Sequence, residues 1–146
     1  TGFVTRLEIL GPNRYSLASA GWRRGGRMSR SGLGVLAPLM GEHSQLQAFK
    51  LEGQVVDDEC VAIFAQALSA NASLVALELP NNGISESGLL SLVGIALGTR
   101  LARLNLSGNV VDPPARARVG DAVRAMLATE AERRGDDGLP LLEVRL

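Results

Sequence analysis

Apolar residues recur along this chain at two alternating periods. From Leu46 onward the order L-x-x-L-x-L appears three times: Leu46, Phe49, Leu51; Leu74, Leu77, Leu79; Leu101, Leu104, Leu106. The two-residue spacing that ends each triplet predicts a short strand whose alternate side chains enter a core. Three residues after each triplet stands an amide, Gln54, Asn82 and Asn109 in turn. The period then changes. Cys60, Phe64 and Leu68 lie on one helical face within residues 57–69, and Leu89, Leu92, Val93, Ala96 and Leu97 do so within 85–98. Successive units are 28 residues (46 to 74) and 27 residues (74 to 101) apart. That interval holds a strand, a turn and a full α-helix, and a strand that returns through a helix pairs with its predecessor in parallel.

The third unit departs from this measure. Asp112 is the expected N-cap, Pro113 and Pro114 suit the first helical turn, and the helix is predicted to run to about Arg134. Val119, Ala122, Val123, Met126 and Leu127 share one face of it, and Arg133, Arg134 and Gly135 suit its C-terminal end. A final strand is predicted at Leu141–Leu146, 40 residues after Leu101 (101 to 141), with Val144 and Leu146 inward. At the other end, Val4, Leu7 and Ile9 fit the strand pattern and Gly11-Pro12-Asn13 signals a turn, with Tyr15–Leu17 as a further short strand. Two readings fit this end, an irregular first repeat or an N-terminal hairpin that caps the stack, and a capping element that includes strand 4–9 is the one favoured; an exposed loop at Trp22–Arg30 and a short helix within 31–40 are expected to follow.

The line Leu74-Val-Ala-Leu77-Glu-Leu79-Pro-Asn-Asn82-Gly-Ile84 reads L-x-x-L-x-L-x-x-N-x-I. It resembles the leucine-rich repeat family, and the period of 27–28 resembles the ribonuclease-inhibitor-like subtype, whose units alternate strand and helix. The resemblance is most specific over 46–111 and extends across 31–146. It implies an α/β solenoid, a horseshoe-type arc with a parallel sheet on the concave side and α-helices on the convex side. A single domain over 1–146 is expected: an irregular cap and arginine-rich loop to residue 30, regular repeats over 31–111, then a long helix and a last strand over 112–146. Leu74, Leu77, Leu79, Leu101, Leu104 and Leu106 are the structural apolar set, and Asn82 and Asn109 are expected to satisfy backbone groups at the turns. Cys60 aligns with Gly88, so the position is expected to need a small residue where helix meets sheet.

The resemblance further implies protein docking on the concave face, as a scaffold or structural subunit. Outward positions there form two columns across the strands. One is Lys50, Glu78, Asn105, Arg145 and the other Ala48, Ala76, Arg103, Glu143. Opposite charges are expected to pair at Lys50–Glu78 and Arg103–Glu143, while Ala48, Ala76 and Gly108 leave room for a partner to approach, with Glu78 and Pro80 displayed beside them. Ran GTPase-activating proteins share the subtype, which makes regulation of a small GTPase an alternative.

Composition narrows this little further. Aromatics are 3% of residues, so the core is aliphatic; the net charge is +0, which argues against a general polyanion binder. The charge is uneven, however. Trp22 sits beside Arg23, Arg24, Arg27 and Arg30, an arrangement suited to RNA or to an acidic protein surface. A single cysteine, Cys60, fits a reducing compartment, and an intracellular, cytoplasmic or cytoskeleton-associated protein is expected. The longest apolar run, Leu89–Gly98, is far short of a membrane span. Two Asn-x-Ser triplets, at Asn71 and Asn105, read as accidental sequons. Because it begins Thr1-Gly2 without methionine, the chain is expected to be an excerpt of a longer protein. His43 is the only histidine, no phosphate-binding loop is present, and Asp57-Asp58-Glu59 is explained by a helix N-terminus. Neither enzymatic activity nor a metal or cofactor is expected.

Overall fold

A computed structural model describes residues 6–9, 45–53, 56–110, 112–135 and 141–146. Its strands are β1 (Arg6–Ile9), β2 (Ala48–Leu51), β3 (Ala76–Glu78), β4 (Arg103–Asn105) and β5 (Glu143–Arg145). Its helices are α1 (Asp58–Ala70), α2 (Glu86–Leu97) and α3 (Pro113–Arg134). The strands form one sheet in chain order, β1 to β5, with every neighbouring pair parallel. The helices follow the same order, α1 against α2 and α2 against α3. The chain is thus α/β, as its alternating periods require. β1 joins this sheet in parallel with β2, pairing Arg6 with Ala48 and Glu8 with Lys50. Tyr15–Leu17, the loop from Trp22 to Arg30, the helix within 31–40, His43 and Gln54 lie outside the described residues.

Each helix begins on a capping side chain, which for α3 is the Asp112 that the sequence marks. Asp57 accepts the Cys60 N–H at 2.9 Å, Ser85 accepts that of Gly88 at 3.2 Å, and Asp112 accepts that of Ala115 at 3.1 Å. In all three the cap reaches the third helical residue and occupies a donor the helix leaves unbonded.

The core lies between the helices and one face of the sheet. Phe49, Leu51, Leu77, Leu79, Leu104 and Leu106 are buried in it, with Phe64 and Leu68 of α1, Leu89, Leu92 and Val93 of α2, and Val119 and Val123 of α3. Phe49 and Phe64 bring their rings to 5.8 Å at a tilt of 54°, joining β2 to α1. Burial of each such side chain stabilises by roughly 1.5–3 kcal/mol. Val144 and Leu146 pack on this core but stay half-buried, β5 being the edge strand among the described residues. Just before that strand Leu142, in phase with Val144 and Leu146, is buried at 5% exposure, and Leu141 is 46% exposed.

The turn after each strand repeats a backbone conformation. Gly53, Asn81 and Gly108, each two residues beyond the last inward residue of its strand, have φ of 66°, 57° and 72°. Glycine and asparagine are the residues that enter this left-handed region at least cost. Gly108 must be small for a second reason: a Cβ there would collide with the Asn81 side-chain oxygen. Its smallness serves the turn rather than an approaching partner.

Candidate functional site

The turns hold the sheet in register through two asparagines. The side-chain N–H of Asn82 donates to the Leu51 carbonyl at 2.8 Å, one unit back. Asn109 does more. It donates to the carbonyls of Leu79 at 2.8 Å and Leu106 at 2.7 Å, and its oxygen accepts the N–H groups of Asn82 at 2.9 Å and Ile84 at 3.2 Å. Backbone bonds continue between turns, from Gly53 to Pro80 at 3.3 Å and from Asn81 to Ser107 at 2.9 Å. Asn71 and Asn105, the sequon asparagines, have structural partners too. Each accepts the backbone N–H and the hydroxyl of the serine two residues on, Ser73 and Ser107. The Asn-x-Ser pattern is here a turn signature.

This scaffold displays the sheet face that the helices leave bare. Register places Lys50, Glu78, Asn105 and Arg145 in one row and Ala48, Ala76, Arg103 and Glu143 in the next, and β1 extends the rows to Glu8 and Arg6. The two expected ion pairs across strands do not form. Lys50 turns along its own strand to Glu52, at 3.1 Å. A neighbour two residues along a strand lies on the same face as one on the next strand, and the flexible lysine stem reaches either. Arg103 and Glu143 stay exposed and make no ion pair among the described residues. Ala76 is only 4% exposed, a methyl group beside the longer Glu78 and Arg103 side chains, and Pro80 is buried, so neither offers the surface expected of it. Ala48 is half-buried.

The helical side carries a different chemistry. A groove of about 610 Å³ runs between α2 and α3, with Gly94, Gly98, Ala125 and Met126 along it and Glu130 and Arg133 at one end. Glu130 is 8% exposed and is the charged residue the sequence reading missed. It follows Val119, Val123 and Met126 at helical spacing, which puts it on the buried face. Arg133 donates to it at 2.8 and 2.6 Å and Arg134 at 2.6 Å. Those hydrogen bonds, Arg133's first and Arg134's next, hold its carboxyl at about 2. Arg134 also donates to the Leu97 carbonyl at 3.1 Å, fastening the end of α3 to the end of α2. Nearer their N-termini the same helices are joined by Arg118, which donates to Glu86 at 2.6 and 3.3 Å. That hydrogen bond raises the Arg118 pKa further above its ordinary value.

The acidic run at the start of α1 is accounted for within the fold. Asp57 caps the helix, and Asp58 accepts the Ser85 hydroxyl at 2.9 and 2.8 Å and that of Ser87 at 3.3 Å. Gly88 lies against this contact, and a Cβ there would come within 2.5 Å of Asp58 Oδ1 and 2.7 Å of Ile84 Cγ2. Cys60, its counterpart in α1, is 2% exposed in the core. Among the described residues no helix is long and apolar enough to cross a membrane.

Neither a family model nor a curated protein sequence matches the chain. Among solved structures it is similar to "Leiomodin-1 Actin-Binding Site 2 (ABS2)", with a TM-score of 0.62 at 15% identity, over 92% of this chain and 82% of that one. At that identity the likeness is one of fold.

Proposed function

We propose that this chain is a non-catalytic protein-interaction module, a leucine-rich repeat solenoid of the ribonuclease-inhibitor-like kind, that docks its partner on the open face of the sheet. One observation carries the reading. Each central strand has one face sealed into the core by a helix, while its other face bears Lys50, Glu78, Arg103 and Asn105, half-buried or exposed, and no described helix covers them. The repeated left-handed turn and the asparagines that tie one unit to the next support the repeat assignment. The module acts as a scaffold or structural subunit, and its chemistry is recognition rather than catalysis.

Filamentous actin is the first partner to test, because the solved domain of similar fold is an actin-binding site. That choice agrees with a cytoskeleton-associated location. The experiment is co-sedimentation of the full chain with actin filaments, beside a variant carrying Lys50→Glu, Glu78→Lys and Arg103→Glu. The original chain is expected to pellet with filaments and the variant to remain in the supernatant with an unchanged melting temperature. An original chain that never pellets removes actin as the partner. Equal pelleting of the variant removes the sheet face as the site.

A further inference from the structure

We propose that the leading ends of β3, β4 and β5 are the part of the open face that grips its partner, and that they take an acidic amphipathic peptide segment of a protein. The proposal rests on the docking reading above. Over residues 45–146, as far as described, Lys50, Arg116, Arg118, Arg124, Arg133 and Arg134 each meet a carboxylate or a carbonyl of the chain itself. Arg100, Arg103 and Arg145 meet neither. All three are exposed; Arg100 stands just before β4 and Arg103 at its start, while Arg145 lies at the far end of β5, in register with Asn105. At this end of the sheet the acid among the described residues is Glu143, paired in register with Arg103, so Arg100 and Arg103 outnumber it.

The same place holds the exposed large apolar residues of the described chain, Val75 at 42% and Leu141 at 46%. They flank β4. The Val75 carbonyl accepts the N–H groups of Ala102 at 2.8 Å and Arg103 at 3.1 Å, and the Ala102 carbonyl accepts that of Glu143 at 2.9 Å. Three neighbouring strands, about 4.8 Å apart, are therefore pinned here by backbone bonds. They bring Arg100 and Arg103 to the same end of the sheet as these two exposed aliphatic residues. Arginine recognises carboxylate by paired hydrogen bonds, and aliphatic neighbours exclude water from that contact. A segment with acidic and aliphatic side chains answers both features. A nucleic acid answers only the first.

The probe is a synthetic helical peptide with leucine at i, i+4 and i+7 and glutamate between, compared with versions carrying glutamine or lysine in place of glutamate and with oligouridylate. Binding to the full chain is read by fluorescence anisotropy. The glutamate peptide is expected to bind best. Arg100→Ser and Arg103→Ser should each weaken it by roughly tenfold, and Val75→Thr and Leu141→Gln by several-fold. Arg124→Ser on α3 should leave binding unchanged, and melting temperatures confirm that each variant folds. Equal binding of the glutamine peptide overturns the proposal, as does oligouridylate bound more tightly with no response to Val75→Thr or Leu141→Gln. A preference for the lysine peptide that Glu78→Gln abolishes overturns it while leaving the sheet face as the docking surface. Glutamate-peptide binding that responds to Arg124→Ser and not to Arg103→Ser overturns both.

Discussion

The side-chain oxygen of Asn109 accepts the backbone N–H of Asn82 at 2.9 Å, so one repeat's turn asparagine is held by the next. With Ile84 N–H and the Leu79 and Leu106 carbonyls, Asn109 satisfies four backbone groups at a site 8% exposed. A buried group that loses its partner costs on the order of 1–3 kcal/mol, and groups sharing one partner do not add fully. Asn109→Ala is therefore expected to lower the unfolding free energy by about 3 kcal/mol, read as a lower urea midpoint with an unchanged slope. A loss below about 1 kcal/mol would mean that water replaces the amide.

Two glycines separate steric demand from backbone strain. Gly83 and Gly108 both have positive φ, 79° and 72°, but a Cβ at Gly83 meets nothing within 4 Å while one at Gly108 meets Asn81. Gly83→Ala should cost about 1 kcal/mol from conformation alone. Gly108→Ala should cost more, and Asn81→Gly in the same chain should return most of the difference. Gly88→Ala adds a methyl group against Asp58 and Ile84 and should cost roughly 1–3 kcal/mol. Thermal melts of the three single variants and the double variant decide the order.

How far the sequence reaches is clear from particular residues. Leu77, Leu79, Leu104 and Leu106 are buried where the two-residue period puts them, and Asp112 caps the helix it precedes. Backbone periodicity constrains these positions, so the pattern carries them. The turn conformation shared by Gly53, Asn81 and Gly108 was equally readable, as the tolerant residue just before each turn amide. Glu130 was not legible as a buried residue, because a carboxylate on an apolar helix face carries no periodic signal of its own. The partner of Lys50 was not readable, because Glu52 along the strand and Glu78 across it are equivalent in pattern, and only side-chain packing chooses. At β5 alternation from Val144 and Leu146 carries inward to Leu142, which is buried. The identity of a docking partner leaves no periodic trace, which is why the open face was legible as a surface and not as a specificity.

The Lys50–Glu52 contact makes a quantitative claim against the alternative pair. Both side chains are about a quarter exposed, 22% and 24%, so their coupling should be positive but under about 1 kcal/mol. A double-mutant cycle with Lys50→Met and Glu52→Gln is expected to give that value, shrinking in high salt. The corresponding cycle with Glu78→Gln should give none within error. Coupling to Glu78 larger than to Glu52 would restore the cross-strand pair.

Glu130 sets the response of α3 to acid. Its carboxyl titrates at about 2 in the folded chain against an ordinary value of 4.5, because Arg133 and then Arg134 hydrogen-bond the charged form. A carboxyl depressed on folding contributes stability that is complete above its unfolded value, declines as pH falls toward the folded value, and is absent below it. The window therefore runs from about pH 4.5 down to about 2. Glu130→Gln keeps the shape of the side chain and removes the charge. The variant should melt below the original chain at neutral pH, the gap should narrow as pH falls through that window, and the two should converge near its lower end. Arg134→Met should reproduce part of the gap and also free the Leu97 carbonyl, so it should speed amide exchange at the ends of α2 and α3 first. A gap between Glu130→Gln and the original chain that does not change with pH would show that packing, rather than the charge, is what Glu130 contributes.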